Sequence, residues 1–197
     1  MVTEIVTPRI APLEPPFEPP TAAQLAKMMP PGEPPIALFR VFARNLAMTE
    51  AMHVWGGYEL SRRLSLSFRD REIVIDRTCA RCGCDYEWGV HVARFADRAG
   101  LTAAQVASLA AGSAADPCWP DERDRLLIRA VDALHDRADI DDDLWRRLAG
   151  TLTDASVLDL LLLCGWYHAI SFAARATRLP LEPGTPALRP GAGARAG

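Results

Sequence analysis

The sequence predicts an all-α protein. Between residues 35 and 178, apolar residues recur at helical spacing, and no run alternates in the manner of a strand or carries a hairpin turn. Capping residues mark several helix starts, as where Thr102 is followed three positions later by Gln105, the spacing of a capping box. The pattern predicts helices at 35–48, 49–64, 69–82, 84–99, 102–111, 121–136, 140–149 and 153–178.

Local signals set the helix boundaries. Gly83 marks the break between the third and fourth helices, and Gly100 ends the fourth, because glycine tolerates a left-handed backbone. Acidic residues begin the sixth helix (Asp121 and Glu122) and the last (Asp154), where they complement the helix dipole.

Proline-rich segments flank the helices. Ten of the 16 prolines fall in residues 1–35, so we expect 1–34 to form an extended or irregular arm on the surface or over a neighbouring subunit. The proline- and glycine-rich stretch 185–197 predicts a flexible tail. Residues 35–184 are then expected to form one domain.

Charge and composition exclude several classes of function. The net charge of -3 gives no electrostatic reason to expect nucleic acid or an anionic membrane as a partner. The apolar stretch 157–176 contains Asp159, His168 and Arg175, so we interpret it as a buried core helix. The first residues lack the apolar core of a secretory signal, and the five cysteines do not form a disulfide framework. These features predict a cytoplasmic protein with reduced thiols.

The stretch RTCARCGCDYEWGVH concentrates reactive side chains. Cys79, Cys82, Cys84 and His91 are zinc-ligand types, but they lack a separated second ligand pair, so no metal is expected. At about 100° per residue, Cys84, Glu87 and His91 share one helix face. Glu72 stands in the preceding helix among apolar residues. These side chains are either an acid–base or thiol site, or a surface ion pair beside a small buried cysteine.

The same residues resemble the carboxymuconolactone decarboxylase and alkylhydroperoxidase-D superfamily. In the peroxidase branch of that superfamily, a Glu is followed by a Cys-x-x-Cys pair and a His, and Glu72, Cys84 and His91 match the Glu, the first Cys and the His. Position 87 is Glu where that branch has its second Cys, and CDYEWGVH is similar to a decarboxylase-like branch. The resemblance covers roughly residues 35–184.

The resemblance implies an alkylhydroperoxidase-D-like helical bundle, assembled as a homo-oligomer (trimer or hexamer), that acts on a small molecule without a cofactor. The first functional hypothesis is a lyase that uses proton transfer by His91, oriented by Glu87 or Glu72, on a small lactone or unsaturated acid. The second is a thiol peroxidase (peroxiredoxin activity), an oxidoreductase in which Cys84 attacks a hydroperoxide and a neighbouring thiol resolves it. The third is an oligomer without catalysis. The candidate resolving thiols are Cys79 and Cys82, and the candidate pocket residues are Tyr86, Trp88 and His168.

Overall fold

The computed structural model describes residues 7–188, and the regular secondary structure within that range is entirely helical. This confirms the predicted all-α fold class. The helices are α1 (Pro19–Lys27), α2 (Ala37–Phe42), α3 (Leu46–Glu59), α4 (Phe68–Arg81), α5 (Asp85–Phe95), α6 (Ala103–Ala111), α7 (Glu122–Arg137), α8 (Asp142–Ala149) and α9 (Asp154–Ala176).

The predicted boundaries are wrong mainly around the first two domain helices. The helices expected at 35–48 and 49–64 are instead α2 and the longer α3, which begins at Leu46. The reason is local: the Met48 N–H donates to the Asn45 side-chain oxygen (3.2 Å), which caps α3. The helix expected at 84–99 ends at Phe95, and the remaining helices agree with their predictions within two residues.

The N-terminal arm contains a helix that the proline content did not predict. In α1, prolines occupy the first two positions, where a missing N–H removes no helical hydrogen bond. Leu25 is buried, and the Arg9 N–H donates to the Thr177 carbonyl (2.8 Å). The expectation of an extended or irregular arm is therefore wrong for α1. The arm's residues 1–6 and the tail's residues 189–197 lie outside the described range.

Helix α4 is the central element of the fold. It packs against α5, α6, α7 and α9, and every residue from 70 to 79 is buried. Two of its charged residues are neutralised by ion pairs, Asp70 with Arg123 (2.7 Å) and Arg77 with Asp132 (2.7 Å). A helix buried on all sides holds its remaining charged groups inside the protein, where they need specific partners.

Helix α9 is the second major core element. In the described part of the chain it is the one helix long and apolar enough to cross a membrane, and half of its most apolar stretch is buried inside the protein. Leu160 and Tyr167 face the interior, whereas Leu162 and Phe172 on its other face are 51% and 64% exposed. Core helices of globular proteins meet the same criterion of length and hydropathy.

Candidate active site

The turn between α4 and α5 brings a carboxylate and an imidazole together. Gly83 adopts a φ of +63°, which a residue with a side chain rarely adopts, and reverses the chain after α4. The two helices then pack side by side, so that Glu72 Oε2 lies 2.8 Å from His91 Nδ1. Glu87 Oε2 lies 3.9 Å from His91 Nε2 on the other side of the ring. Glu72, rather than Glu87, therefore orients the imidazole.

Two residues that the sequence analysis did not select complete this network. Arg71 Nε donates to Glu72 Oε1 (2.7 Å), and Tyr167 Oη lies 2.9 Å from His91 Nε2. A signal for Tyr167 exists, since it shares the buried face of α9 with Leu163 and Ile170 at helical spacing. For Arg71 no signal distinguishes it from other charged residues in α4.

Burial and neighbouring charges shift the pKa values of Glu72 and His91 in opposite directions, and the charges outweigh burial for both groups. Burial acts to raise the pKa of Glu72, but His91 and Arg71 outweigh it, and the net pKa is lowered. Burial acts to lower the pKa of His91, but Glu72, Glu87 and Asp76 outweigh it, and the net pKa is raised. Glu72 and His91 are therefore held as a buried carboxylate–imidazolium pair. The pKa of Tyr167 is raised well above its usual value, first by burial and then by Glu87 and Glu72, so its hydroxyl stays protonated.

Glu87 differs from Glu72 in having one carboxylate oxygen without a hydrogen bond. Its Oε1 atom is buried and has no hydrogen-bond partner in the described structure. Burial raises the pKa of Glu87, and Glu182 adds to that rise while His91 opposes it. A buried carboxyl group with an unused oxygen is uncommon, because desolvation without a hydrogen bond is unfavourable.

A cavity of about 570 Å³ lies against this network. Its walls come from the segment around α1 and from α2, α3, α5 and α9, and most of the lining side chains are apolar. Glu87, His91 and Tyr167 line it, whereas Glu72 stands behind His91. The cavity therefore exposes a carboxyl group, an imidazole and a phenol to a bound molecule.

The predicted pocket residues Tyr86, Trp88 and His168 do not line this cavity. Each is a chain neighbour of a lining residue, and one residue of helix turns a side chain by about 100°. Tyr86 hydrogen-bonds Glu182, Trp88 is buried in the core, and His168 Nε2 lies 3.0 Å from His135 Nδ1.

The three clustered thiols are also away from the cavity. Cys84 is fully buried, does not line the cavity, and its pKa is raised by burial to about 11. Burial raises the pKa of Cys79 well above its usual value, and it also raises the pKa of Cys82. A thiol is a nucleophile only as its thiolate, so these environments disfavour thiol attack. All three are free cysteines in the structure.

The geometry defines a class of protein: an all-α fold with a buried Glu–His pair that meets an apolar cavity. The family model "Carboxymuconolactone decarboxylase family" matches residues 48–130, which include Glu72, Cys84, Glu87 and His91. Over these residues the chain is similar to this family.

Structural comparison finds the same fold in another protein. An uncharacterized peroxidase-related protein from Silicibacter sp. TM1040 superposes with a TM-score of 0.74, over 88% of this chain and 93% of that one. The two sequences are 17% identical, so the likeness shows the shared fold alone. No curated protein matches the chain in sequence.

Proposed function

We propose that the protein is a lyase of the carboxymuconolactone decarboxylase type, which transfers a proton to a small lactone or unsaturated acid. The observation that carries the proposal is the Glu87 carboxyl, whose buried Oε1 has no partner and which lines the cavity beside His91. A carboxyl group with a raised pKa and a free oxygen is suited to general acid–base catalysis near neutral pH.

The proposed roles follow the hydrogen bonds. Glu72 holds His91 through Nδ1 and keeps the imidazole protonated. The His91 Nε2–H then donates to Tyr167 Oη, which leaves the phenolic O–H free to donate into the cavity. In decarboxylation the bond to the departing carboxylate breaks and its electron pair remains on the substrate as an enolate. Tyr167 stabilises the enolate oxygen, and Glu87 delivers the proton that carbon requires.

The charge at the cavity supports a substrate with an apolar body and an acidic group. Lys27 and Arg94 line the cavity, with Glu33 paired to Arg94 (2.8 Å). Arg77 and Arg81 are bound to aspartates of α7 and do not line the cavity. We assign the anchoring of a substrate carboxylate to Lys27, because this cation reaches the cavity whereas Arg94 is already paired with Glu33.

Thiol-dependent peroxide reduction remains the second candidate, and one observation favours it. Cys79 and Cys84 meet at the turn between α4 and α5, where the Cys84 N–H donates to the Cys79 carbonyl (2.8 Å). A resolving partner for Cys84 is thus at hand. The raised thiol pKa values and the absence of Cys84 from the cavity lining weigh against this chemistry.

We further propose a cytoplasmic homo-oligomer. The free cysteines fit a reducing compartment. The exposed apolar face of α9, with Leu162 and Phe172, is suited to burial against another copy of the chain.

The proposal is tested by screening small γ-lactone carboxylates and unsaturated acids for release of CO₂. On any substrate that turns over, Glu87→Gln is expected to lower kcat by about 10²- to 10⁴-fold, the usual contribution of general acid–base catalysis. Glu50→Gln, a change of the same chemistry at an exposed position on α3, serves as the matched control and keeps full activity. Equal activity in the two variants would reject the proposed role of Glu87.

A further inference from the structure

A second cluster of reactive side chains lies outside the cavity. Cys82 follows α4, His135 lies on α7 and His168 lies on α9, and one ligand-type atom from each lies within 4.8 Å of the other two. His135 Nδ1 and His168 Nε2 are 3.0 Å apart. Three helices distant in sequence therefore place one sulfur and two imidazole nitrogens around a common point.

The spacing suits a tetrahedral metal ion. Zinc binds imidazole nitrogen at about 2.0–2.1 Å and cysteine sulfur at about 2.3 Å, so its tetrahedral ligand atoms stand about 3.5 Å apart. The observed spacings bracket that value and require only small side-chain adjustments. Cys82 is buried, whereas both histidines are half-buried, which leaves a path for an ion from solvent.

A hydrogen bond behind the cluster prepares His168 for this role. His168 Nδ1 lies 2.8 Å from the Cys164 carbonyl oxygen, which can only accept, so Nδ1 carries the proton and Nε2 presents its lone pair. Metal-binding histidines commonly donate their second nitrogen to a backbone carbonyl in this way, since the bond fixes both tautomer and ring orientation.

Charged groups around the cluster do not prevent cation binding. Arg81 is bound by Asp136 and by Asp132 (3.6 Å), and these two carboxylates flank His135 on α7. The Arg175 guanidinium lies beside Gly83, next to Cys82, but this side chain is exposed and its charge is screened by solvent.

We propose that Cys82, His135 and His168 bind one zinc ion, with water in the fourth position. The bound ion ties the end of α4 to α7 and α9, and it holds Cys82 as a thiolate ligand that is not available to resolve an oxidised Cys84. The site is independent of the proposed lyase activity, because none of its three ligands lines the cavity.

Cobalt(II) is the probe, since it replaces zinc and reports its ligands by absorption. Reduced protein freed of metal by a chelator is titrated with cobalt(II). We expect a saturable signal at one equivalent, with the visible bands of a tetrahedral ion and a thiolate-to-cobalt charge-transfer band in the near ultraviolet. Zinc should then displace the cobalt, so that both the visible bands and the charge-transfer band disappear.

Matched serine variants identify the sulfur. Cys82→Ser should lose the charge-transfer band and weaken cobalt binding at least tenfold, while Cys118→Ser keeps both. His168→Gln should weaken binding similarly, and circular dichroism checks that each variant is folded. As a readout independent of colour, zinc should raise the melting temperature of wild type and Cys118→Ser but not of Cys82→Ser. An octahedral spectrum without the thiolate band, or unchanged binding in folded Cys82→Ser, would overturn the proposal.

Discussion

Glu72→Gln tests the buried ion-pair network most sharply. The substitution removes the negative charge between Arg71 and His91 but leaves an amide oxygen that still accepts hydrogen bonds. Arg71 is almost fully buried, with a side-chain exposure of 7%, so it is left as a cation without its counter-ion. Breaking a buried ion pair lowers the free energy of unfolding by about 3–5 kcal/mol. Because the glutamine still accepts a hydrogen bond, we expect a loss of about 3 kcal/mol for this variant. A protein of this size should then melt about 6–12 °C lower.

The loss should depend on pH in a defined way. The pKa of His91 is raised in the folded protein. The stability that His91 contributes to the fold is therefore fully present below the ordinary histidine pKa of 6.5 and is lost as pH rises through the folded pKa. The pKa of Glu72 is lowered, so its contribution is present above its ordinary value of 4.5 and is lost as pH falls through the folded pKa. The difference between wild type and variant should therefore be largest between pH 4.5 and 6.5.

Urea unfolding across this pH range measures the effect, and Asp124→Asn is the control. Asp124 also forms a 2.7 Å pair with an arginine, but Arg69 is 30% exposed and keeps part of its hydration. We expect a loss of about 1 kcal/mol in the free energy of unfolding for the control. Equal losses in the two variants at every pH would refute the account of Glu72.

Three further predictions concern other parts of the protein. Glu87→Gln should raise the melting temperature at neutral pH even as activity falls, because a raised acid pKa means that ionisation opposes folding; a lower melting temperature would contradict this. Leu162→Glu should reduce the mass found by sedimentation, because it charges the exposed face of α9; an unchanged oligomer would exclude that face. One equivalent of an organic hydroperoxide should leave the free thiols unchanged over minutes, whereas rapid loss of two thiols including Cys84 would favour the peroxidase hypothesis.

Local signals in the sequence predicted most of the fold. The capping box of Thr102 and Gln105 is present as expected, and Gly83 adopts a positive φ just after α4. Gly100 also adopts a positive φ, but it does not end the helix as predicted, because α5 ends at Phe95 and Gly100 lies in the turn beyond it. These features depend on residues a few positions apart. The sequence does not predict α1, because proline is unfavourable in a helix interior, whereas the structure places both prolines in the first turn, where proline is tolerated.

The site was only partly predictable for a physical reason. Glu87 and His91 are predictable because they share one helix face, and Glu72 because it stands among apolar residues and matches the Glu of the peroxidase-branch motif. Tyr167 comes from α9, 76 residues from His91, and only the packing of α9 against α5 determines that contact. The residues that line the cavity are not predictable in this way, because helical periodicity fixes which residues share a face but not which face borders a cavity.

The most direct test of the central claim compares two variants on a substrate found by the CO₂ screen. The account predicts that His91→Gln loses about 10²- to 10⁴-fold in kcat, because the proton network through Tyr167 is broken. Cys84→Ser should keep kcat within a few-fold of wild type, since the thiol does not line the cavity. The opposite result, an inactive Cys84→Ser and an active His91→Gln, would contradict proton transfer and place the chemistry on the thiol.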